Sequence, residues 1–485
     1  MYMKLNQLIK NISTVVVIGL DTIDIIGLKL DSKKVVPGDM FFAVRGSTHD
    51  GHDYIEDAIS MGAVCIACED IPQARNNTIT YVQVKNIEQV IGHIASTFFN
   101  NPSQDMKIIG VTGTNGKTTV ATLLYHAVSE LGKKTGLIST VHNCIGKEII
   151  PSTHTTPDAI TLQSLFADMR DAGCTHIFME VSSHALVRGR VVGTQFTGGI
   201  FTNLTQDHLD FHGTMDMYKQ AKKMLFTLLD EGSFSLVNAD DEASLIMISS
   251  TKSSVVTYGI QSGDLQAHIR SSDVSGSTVI IDGKIITTPL VGNFNIYNLL
   301  AVFGTLQQLG FDDTEIISVL GRIPGARGRC EIISGSNNVT AILDYAHTPD
   351  ALKNILITIN EFKKETGKII CVMGCGGDRD RGKRPQMGRI GAQLSDHMII
   401  TSDNPRFEDP IRITEEIYAG ISDNDIKKAT IILERKEAIL YAFQCAKSDD
   451  IVLVAGKGHE TYQDSNGIKQ HFDDKEIIED FLGKK

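Results

Sequence analysis

Gly113-Thr114-Asn115-Gly116-Lys117-Thr118-Thr119 follows the apolar stretch Lys107 to Val111, which predicts a buried strand. It precedes Val120, Leu123, Leu124, Ala127, Val128 and Leu131, which share one helical face before Gly132 stops the helix. A glycine-rich turn between strand and helix presents backbone N–H groups at a helix N-terminus, where a polyphosphate binds best. Lys117 supplies a mobile positive charge for terminal phosphates, and the Thr118 hydroxyl suits Mg²⁺. Val111 stands where the general phosphate-loop pattern has its first glycine. The strand–loop–helix setting outweighs that departure and makes a plain tight turn the weaker reading. A nucleoside triphosphate is the expected ligand.

The chain has 485 residues, too many for one ordinary core, so two to four domains are expected. Hydrophobic content of 42% and charged content of 21% are those of a soluble globular protein. A net charge of -12 argues against a nucleic-acid partner. The eight cysteines are scattered, as in a reduced cytoplasmic protein. Cys65 and Cys68 form a C-x-x-C, but on a strand they would face opposite ways, against a metal or redox pair. The run Val15 to Leu20 is too short to span a membrane, so no membrane insertion is expected.

Three blocks separate. Residues 1–102 carry short strands such as Met40 to Val44 and Ala63 to Ala67, and close at Asn100-Asn-Pro102. Residues 103–328 open with the phosphate loop and alternate strands, including Ile177 to Met179 and Gly199 to Phe201, with helices. One helix, beginning at Pro157, places Leu162, Leu165, Phe166 and Met169 together. Residues 329–485 carry apolar runs at Ala341 to Leu343, Ile369 to Met373, Met398 to Ile400, Ile431 to Leu433 and Ile451 to Ala455. The fold class expected is α/β, with a central phosphate-loop domain and a C-terminal doubly wound, Rossmann-like domain. In such sheets ligands sit beyond the carboxyl ends of strands. Three of those ends carry Gly374-Cys-Gly-Gly-Asp-Arg-Asp380, Asp403-Asn-Pro-Arg406 and Gly456-Lys-Gly-His-Glu460.

Glu180 ends one apolar strand and His208 follows the next, which makes them candidate ligands for a divalent cation beside the phosphate loop. Lys222 falls four residues after Tyr218, three before Leu225 and four before Phe226, so it interrupts an apolar stripe. A desolvated lysine becomes a reactive neutral amine, open to forming a carbamate with CO₂. A lysine that snorkels to solvent fits the same spacing.

Gly113-Thr-Asn-Gly-Lys-Thr-Thr119, Glu180-Val-Ser-Ser-His184, Thr202-Asn-Leu-Thr-Gln-Asp-His-Leu-Asp210, Gly292-Asn-Phe-Asn-Ile-Tyr-Asn298, Gly328-Arg-Cys-Glu331 and Asp344-Tyr-Ala-His-Thr-Pro349 resemble the Mur ligases, in order and over nearly the whole chain. These are ATP-dependent amide-bond-forming enzymes of peptidoglycan synthesis. The edge motifs at 374–380 and 456–460 resemble the type that adds the third amino acid of the peptide. Asp403-Asn-Pro-Arg406 is similar to its meso-diaminopimelate-adding form; the L-lysine-adding form and folylpolyglutamate synthetase are the alternatives. A nucleotide-binding regulatory module without ligase activity is a further alternative, against which the intact Lys117, Glu180, His208 and Lys222 argue.

The resemblance implies that the first block holds UDP-N-acetylmuramoyl-L-alanyl-D-glutamate by its uridine nucleotide, through Leu30, Ser32, Ser47, Thr48 and His49. It places His154, Thr155, Thr156, Ser182, Arg188 and Arg190 on the rest of that acceptor. His154 and Arg188 depart from the asparagine and glutamine frequent in relatives. ATP would be held by Gly113 to Thr119 with Asn295, Asn298, Arg329 and Asp344, where Arg329 rather than Arg327 matches the family arginine. Mg²⁺ would be held by Thr118, Glu180, His208 and a carbamylated Lys222. Meso-diaminopimelate would meet Arg379, Asp403, Asn404, Pro405, Arg406, Gly456 and Glu460. A cytoplasmic monomer is expected.

Overall fold

The computed structural model describes residues 2–12, 16–46, 49–334 and 338–483. Its three large sheets follow one another along the chain. The first has the strands Val16–Ile18, Thr80–Gln83, Cys65–Cys68, Asp39–Phe42 and Gly27–Lys29 in spatial order, parallel except for the Val16–Ile18 edge. Cys65 packs into the cluster on one face of this sheet and Cys68 into that on the other. Both are buried free thiols, as alternation along a strand requires.

The second sheet has eleven strands, and its middle is parallel. The strand Lys107–Thr112 lies between His176–Glu180 and Gly198–Phe201, with Glu180 opposite Val111 and Phe201 opposite Thr112. That register sets the carboxyl ends of all three strands at one level, around the loop that follows Thr112. The helix Lys117–Glu130 starts directly after the loop and buries Val120, Leu123, Leu124, Ala127 and Val128. The antiparallel strands Leu265–Asp273, Gly276–Ile281 and Lys284–Thr288 widen one edge, beyond the alternation of strands and helices that the sequence suggests. The helix expected from Pro157 is Ala159–Asp171, because the Asp158 carboxylate accepts from the N–H groups of Ile160 and Thr161 and caps it.

The third sheet runs Glu331–Ser334, Thr340–Asp344, Ile451–Ala455, Ile369–Met373, His397–Ile400 and Ala429–Ile431, all parallel but the first. Helices Pro349–Phe362 and Lys383–Leu394 cover one face, and Arg435–Cys445 and Asp474–Phe481 the other, as a doubly wound sheet demands. The strand expected at Ile431 to Leu433 lies two residues earlier. Ala429 and Thr430 make the pairing to Met398 and Ile399, whereas the Leu433 carbonyl accepts from Ser402 N–H beyond the ladder. An edge strand needs no continuous apolar run, so letters alone misplaced it.

Candidate active site

Two glycines give the phosphate loop its shape. Gly113 has φ 149°, and a Cβ there would lie 1.9 Å from the Thr202 hydroxyl. Gly116 has φ 86°, and a Cβ would lie 2.5 Å from Asn298 Oδ1. Asn203 accepts from Thr114 N–H at 2.8 Å through its carbonyl and from Asn115 N–H at 2.9 Å through its side chain. The helix Lys117–Glu130 has no side-chain cap, so its first N–H groups are available to an anion.

Thr118, Glu180, His208 and Lys222 line one cavity of about 150 Å³ together with Lys117. Thr118 Oγ1 donates to Glu180 Oε2 at 2.9 Å, and Thr140 N–H donates to Oε1 at 2.7 Å. Lys117 Nζ donates to the carbonyls of Gly113 and Thr114, at 2.9 and 2.8 Å. Lys222, 1% exposed, donates to the same Gly113 carbonyl at 2.7 Å and sits 4.3 Å from the centre of the Tyr218 ring. It does not snorkel. Burial, reinforced by Lys117, holds its ammonium well below the usual lysine range.

His208 and Asp207 share the far wall. Burial pushes His208 down to about 3, against the pull of Asp207. Asp207 is held at about 2, because His208, His347 and Lys383 outweigh its own burial. The imidazole is thus neutral at physiological pH, the form that ligates metals. Among the described residues no three His, Cys, Asp or Glu side chains converge on one metal position. The hydroxyl of Thr118 and the carboxylate of Glu180 are hard oxygen donors, which suit Mg²⁺ when phosphate oxygens complete its shell. The residues fit that ion.

The C-terminal sheet closes over the loop. Arg329 Nη2 donates to Thr118 Oγ1 at 3.0 Å, and its guanidinium lies 4.4 Å from the centre of the Tyr345 ring. Arg327 pairs with Asp473 instead and does not reach the loop. Asp344 Oδ2 accepts from Cys330 N–H at 2.7 Å, which orients the turn carrying Arg329. Asn298, Arg329 and Asp344 line a second cavity of about 80 Å³ that also contains Asn115, Gly116 and Thr119. Asn295 lies behind it. Asn295 Oδ1 accepts from Asn298 Nδ2 at 3.1 Å, so it positions Asn298 from within the core.

The expected acceptor residues divide. Thr155 and Ser182 line the larger cavity, and Ser182 caps the short helix Ser183–Val187. Thr156 is buried, donating to the Glu180 carbonyl at 2.8 Å and accepting from Ser182 N–H at 3.1 Å. Arg190 donates to the Thr156 carbonyl at 2.9 Å, whereas Arg188 pairs with Glu88 of the first block at 2.9 Å. His154 is exposed nearby. Leu30 is exposed just after the strand Gly27–Lys29, Ser32 is buried, and His49 is exposed. Ser47 and Thr48 lie outside the described residues.

Asn404, Arg406 and Glu460 lie on loops at the carboxyl edge of the third sheet. Asn404 Nδ2 donates to Glu460 Oε2 at 2.8 Å. Arg406, at φ 51°, donates from Nη1 to the Gly377 carbonyl at 2.7 Å and has no carboxylate partner among the described residues. Gly456 leaves room for Asp403, whose Oδ2 a Cβ there would approach to 2.7 Å. Pro405 is buried between these groups, and Arg379 is exposed with Nη1 on the Asp378 carbonyl. The Tyr345 hydroxyl donates to Glu460 Oε1 at 3.4 Å, so one residue touches both Arg329 and this corner.

Sequence reasoning missed Asp207, Tyr345, Arg384 and Lys457. The first two and Lys457 sat inside quoted motifs, so their signal was present. Arg384 is wholly buried and binds Glu408, Glu416 and the Gly376 carbonyl, tying the loops at 374–380 and 403–408 together. Nothing local in the sequence marked it.

Burial pushes His176, His212 and His347 each down to about 4, from 6.5 when unfolded. Between those values the unfolded chain takes up protons that the folded chain refuses. Stability is therefore fully present above about pH 6.5 and lost as pH falls towards 4, by at most about 1.4 kcal/mol per pH unit per histidine. Melting temperature should be flat from pH 8 to 7 and fall below 6.5. An unchanged melting temperature down to pH 5 would contradict this.

A phosphate loop on the parallel middle of one sheet, closed by the carboxyl edge of a second doubly wound sheet, defines a multidomain nucleotide-binding α/β protein. The chain matches the Mur ligase family catalytic domain at residues 24–99, the Mur ligase middle domain at 111–306 and the Mur ligase glutamate ligase domain at 328–458. It is 48% identical over 482 residues to a UDP-N-acetylmuramoyl-L-alanyl-D-glutamate–2,6-diaminopimelate ligase of Cytophaga hutchinsonii, covering 99% of each chain. It is 48% identical to the Bacteroides thetaiotaomicron enzyme of the same name, covering 99% of this chain and 100% of that one. A solved structure of an enzyme with that name superposes with a TM-score of 0.70 at 31% identity, over 100% of this chain and 99% of the other. The chain belongs to the Mur ligase family.

Proposed function

We infer that this protein is an ATP-dependent ligase that joins meso-diaminopimelate to UDP-N-acetylmuramoyl-L-alanyl-D-glutamate, a cytoplasmic step of peptidoglycan precursor synthesis. The observation that carries this reading is the continuity of the site. Thr118, Arg329, Tyr345 and Glu460 form one chain of contacts from the phosphate loop to the edge bearing Asn404 and Arg406. No described helix is long and apolar enough to cross a membrane. We propose domains at residues 1–102, 103–328 and 329–485, holding acceptor nucleotide, ATP and amino acid respectively.

A carboxylate is a poor electrophile. The γ-phosphoryl group of ATP passes to the D-glutamate γ-carboxylate of the acceptor, ADP departs, and an acyl phosphate results. The α-amine of diaminopimelate attacks its carbonyl, the amide forms, and inorganic phosphate leaves. Lys117 and the N-terminus of its helix stabilise the phosphoryl charge as it moves. Arg329 reaches the same phosphates from the third sheet once ATP displaces it from Thr118. Thr155, Ser182 and Arg190 orient the acceptor carboxylate. Thr118 and Glu180 would hold Mg²⁺ in the cavity that His208 and Lys222 also line, and the ion would supply charge neutralisation and alignment of the phosphates. Lys222 is the residue that carries a carbamate, because its buried amine is pushed towards the neutral, nucleophilic form.

The L-lysine-adding reading fails on Arg406. A guanidinium with no salt bridge among the described residues, at a substrate-binding edge, calls for a carboxylate, and of the two amino acids only diaminopimelate brings one at its far end. Arg406→Ala should raise the diaminopimelate KM by about 30-fold or more, with the ATP KM little changed. Phosphate release that requires ATP, the acceptor and diaminopimelate together tests the activity itself. Release independent of the amino acid would overturn it.

A further inference from the structure

Glu460 is not an open anion. Lys457, with a side chain 0% exposed, places Nζ 3.1 Å from Glu460 Oε2 and 3.1 Å from Asn404 Oδ1. Asn404 Nδ2 completes a triangle by donating to the same Glu460 oxygen at 2.8 Å. The Asp464 N–H also donates to Asn404 Oδ1 at 2.9 Å, which fixes which way the amide faces. The Tyr462 ring centre lies 5.5 Å from Nζ. A buried ammonium thus already neutralises Glu460, the carboxylate at this edge suited to a distal amine of the amino acid. Its charge also reaches Asp403, whose carboxyl lies below its usual value because Lys457 and Arg435 outweigh burial.

We propose that Lys457 is a specificity-determining residue that rejects amino acids bearing a distal cation without a distal carboxylate. This rests on the function inferred above. Diaminopimelate brings an ammonium and a carboxylate on its far carbon, so its distal end is neutral overall and its carboxylate pairs with Arg406. L-lysine brings an ammonium alone, places it beside the Lys457 ammonium, and leaves Arg406 unpaired. The two penalties have different origins. Arg406 discriminates by what lysine lacks, and Lys457 by the charge that lysine carries.

Comparing L-lysine with L-norleucine separates them, because both lack the distal carboxylate and only lysine carries the charge. Each is measured as a competitor of meso-diaminopimelate. In the wild-type enzyme L-norleucine should compete at least as well as L-lysine. In Lys457→Met the order should reverse, L-lysine becoming the better competitor by about tenfold as Glu460 is left without its resident cation. Lys457→Arg should keep the wild-type order. ATP and acceptor KM values should not move in either variant.

L-lysine outcompeting L-norleucine in the wild-type enzyme would overturn the proposal, and that arm stands even if Lys457→Met does not fold. An unchanged order in a folded Lys457→Met would overturn it equally, leaving Lys457 a structural role. Wild-type enzyme with no diaminopimelate-dependent phosphate release would instead refute the inferred function, before any competitor is compared.

Discussion

Lys117→Ala should abolish phosphate release, lowering turnover by about 10²–10³-fold or more. Lys117 lies half-buried against the phosphate loop, and among the described residues its Nζ bonds to the carbonyls of Gly113 and Thr114. On the proposed reading those bonds hold the side chain where terminal phosphates would lie, and binding would exchange them for charge-assisted bonds to phosphate oxygens. Burial lowers its affinity for the proton, as Arg329 does, while Glu180 and Asp207 act the other way. An incoming polyphosphate therefore strengthens the charged form when it is needed. The alanine variant should keep its fold, because the helix Lys117–Glu130 remains anchored through Val120, Leu123 and Leu124. Turnover near that of the wild type in a folded variant would remove the phosphate loop from the mechanism.

Lys222→Ala should be nearly inactive, with a loss of about 10²-fold or more, and partly rescued by acetate at high concentration. The side chain lines the cavity with Thr118, Glu180 and His208 and donates to the Gly113 carbonyl, with no salt-bridged carboxylate among the described residues. The proposed carbamate would add an anionic oxygen to this cavity, and in the alanine variant a small carboxylate would take the vacated volume. Lys222→Arg keeps a cation, forms no carbamate and should not recover activity. Mass analysis of intact active enzyme gives an independent readout. Only unmodified amine in enzyme at full activity would exclude the carbamate.

Much of this was legible in the sequence because its signals are local. A strand, two glycines and an amphipathic helix fixed the phosphate loop, and strand-end motifs marked both edges. Glu180 could be placed because it terminates an apolar run, and register then carried it beside Thr118. Lys222 could be singled out because it breaks a 3.6-residue stripe, and the structure seals that stripe around it with Tyr218. Contacts between distant segments were not legible. Arg188 bonded to Glu88 and Arg329 bonded to Thr118 depend on how separate sheets dock, and Arg384 clamped by two glutamates depends on how distant loops of one sheet meet. Asn295 and Thr156 show a subtler limit. The resemblance put them at the site, but burial turns their side chains to neighbours that then face the cavity.

The most direct measurement offers wild-type enzyme ATP, Mg²⁺ and UDP-N-acetylmuramoyl-L-alanyl-D-glutamate with meso-diaminopimelate and L-lysine at equal concentration. Mass spectrometry then reads which amino acid the acceptor has gained. The expected product carries diaminopimelate almost alone, with one phosphate released per amide formed. Lysine adduct in comparable amount would contradict the reading of the Arg406 edge, and no adduct of either kind would contradict the ligase itself.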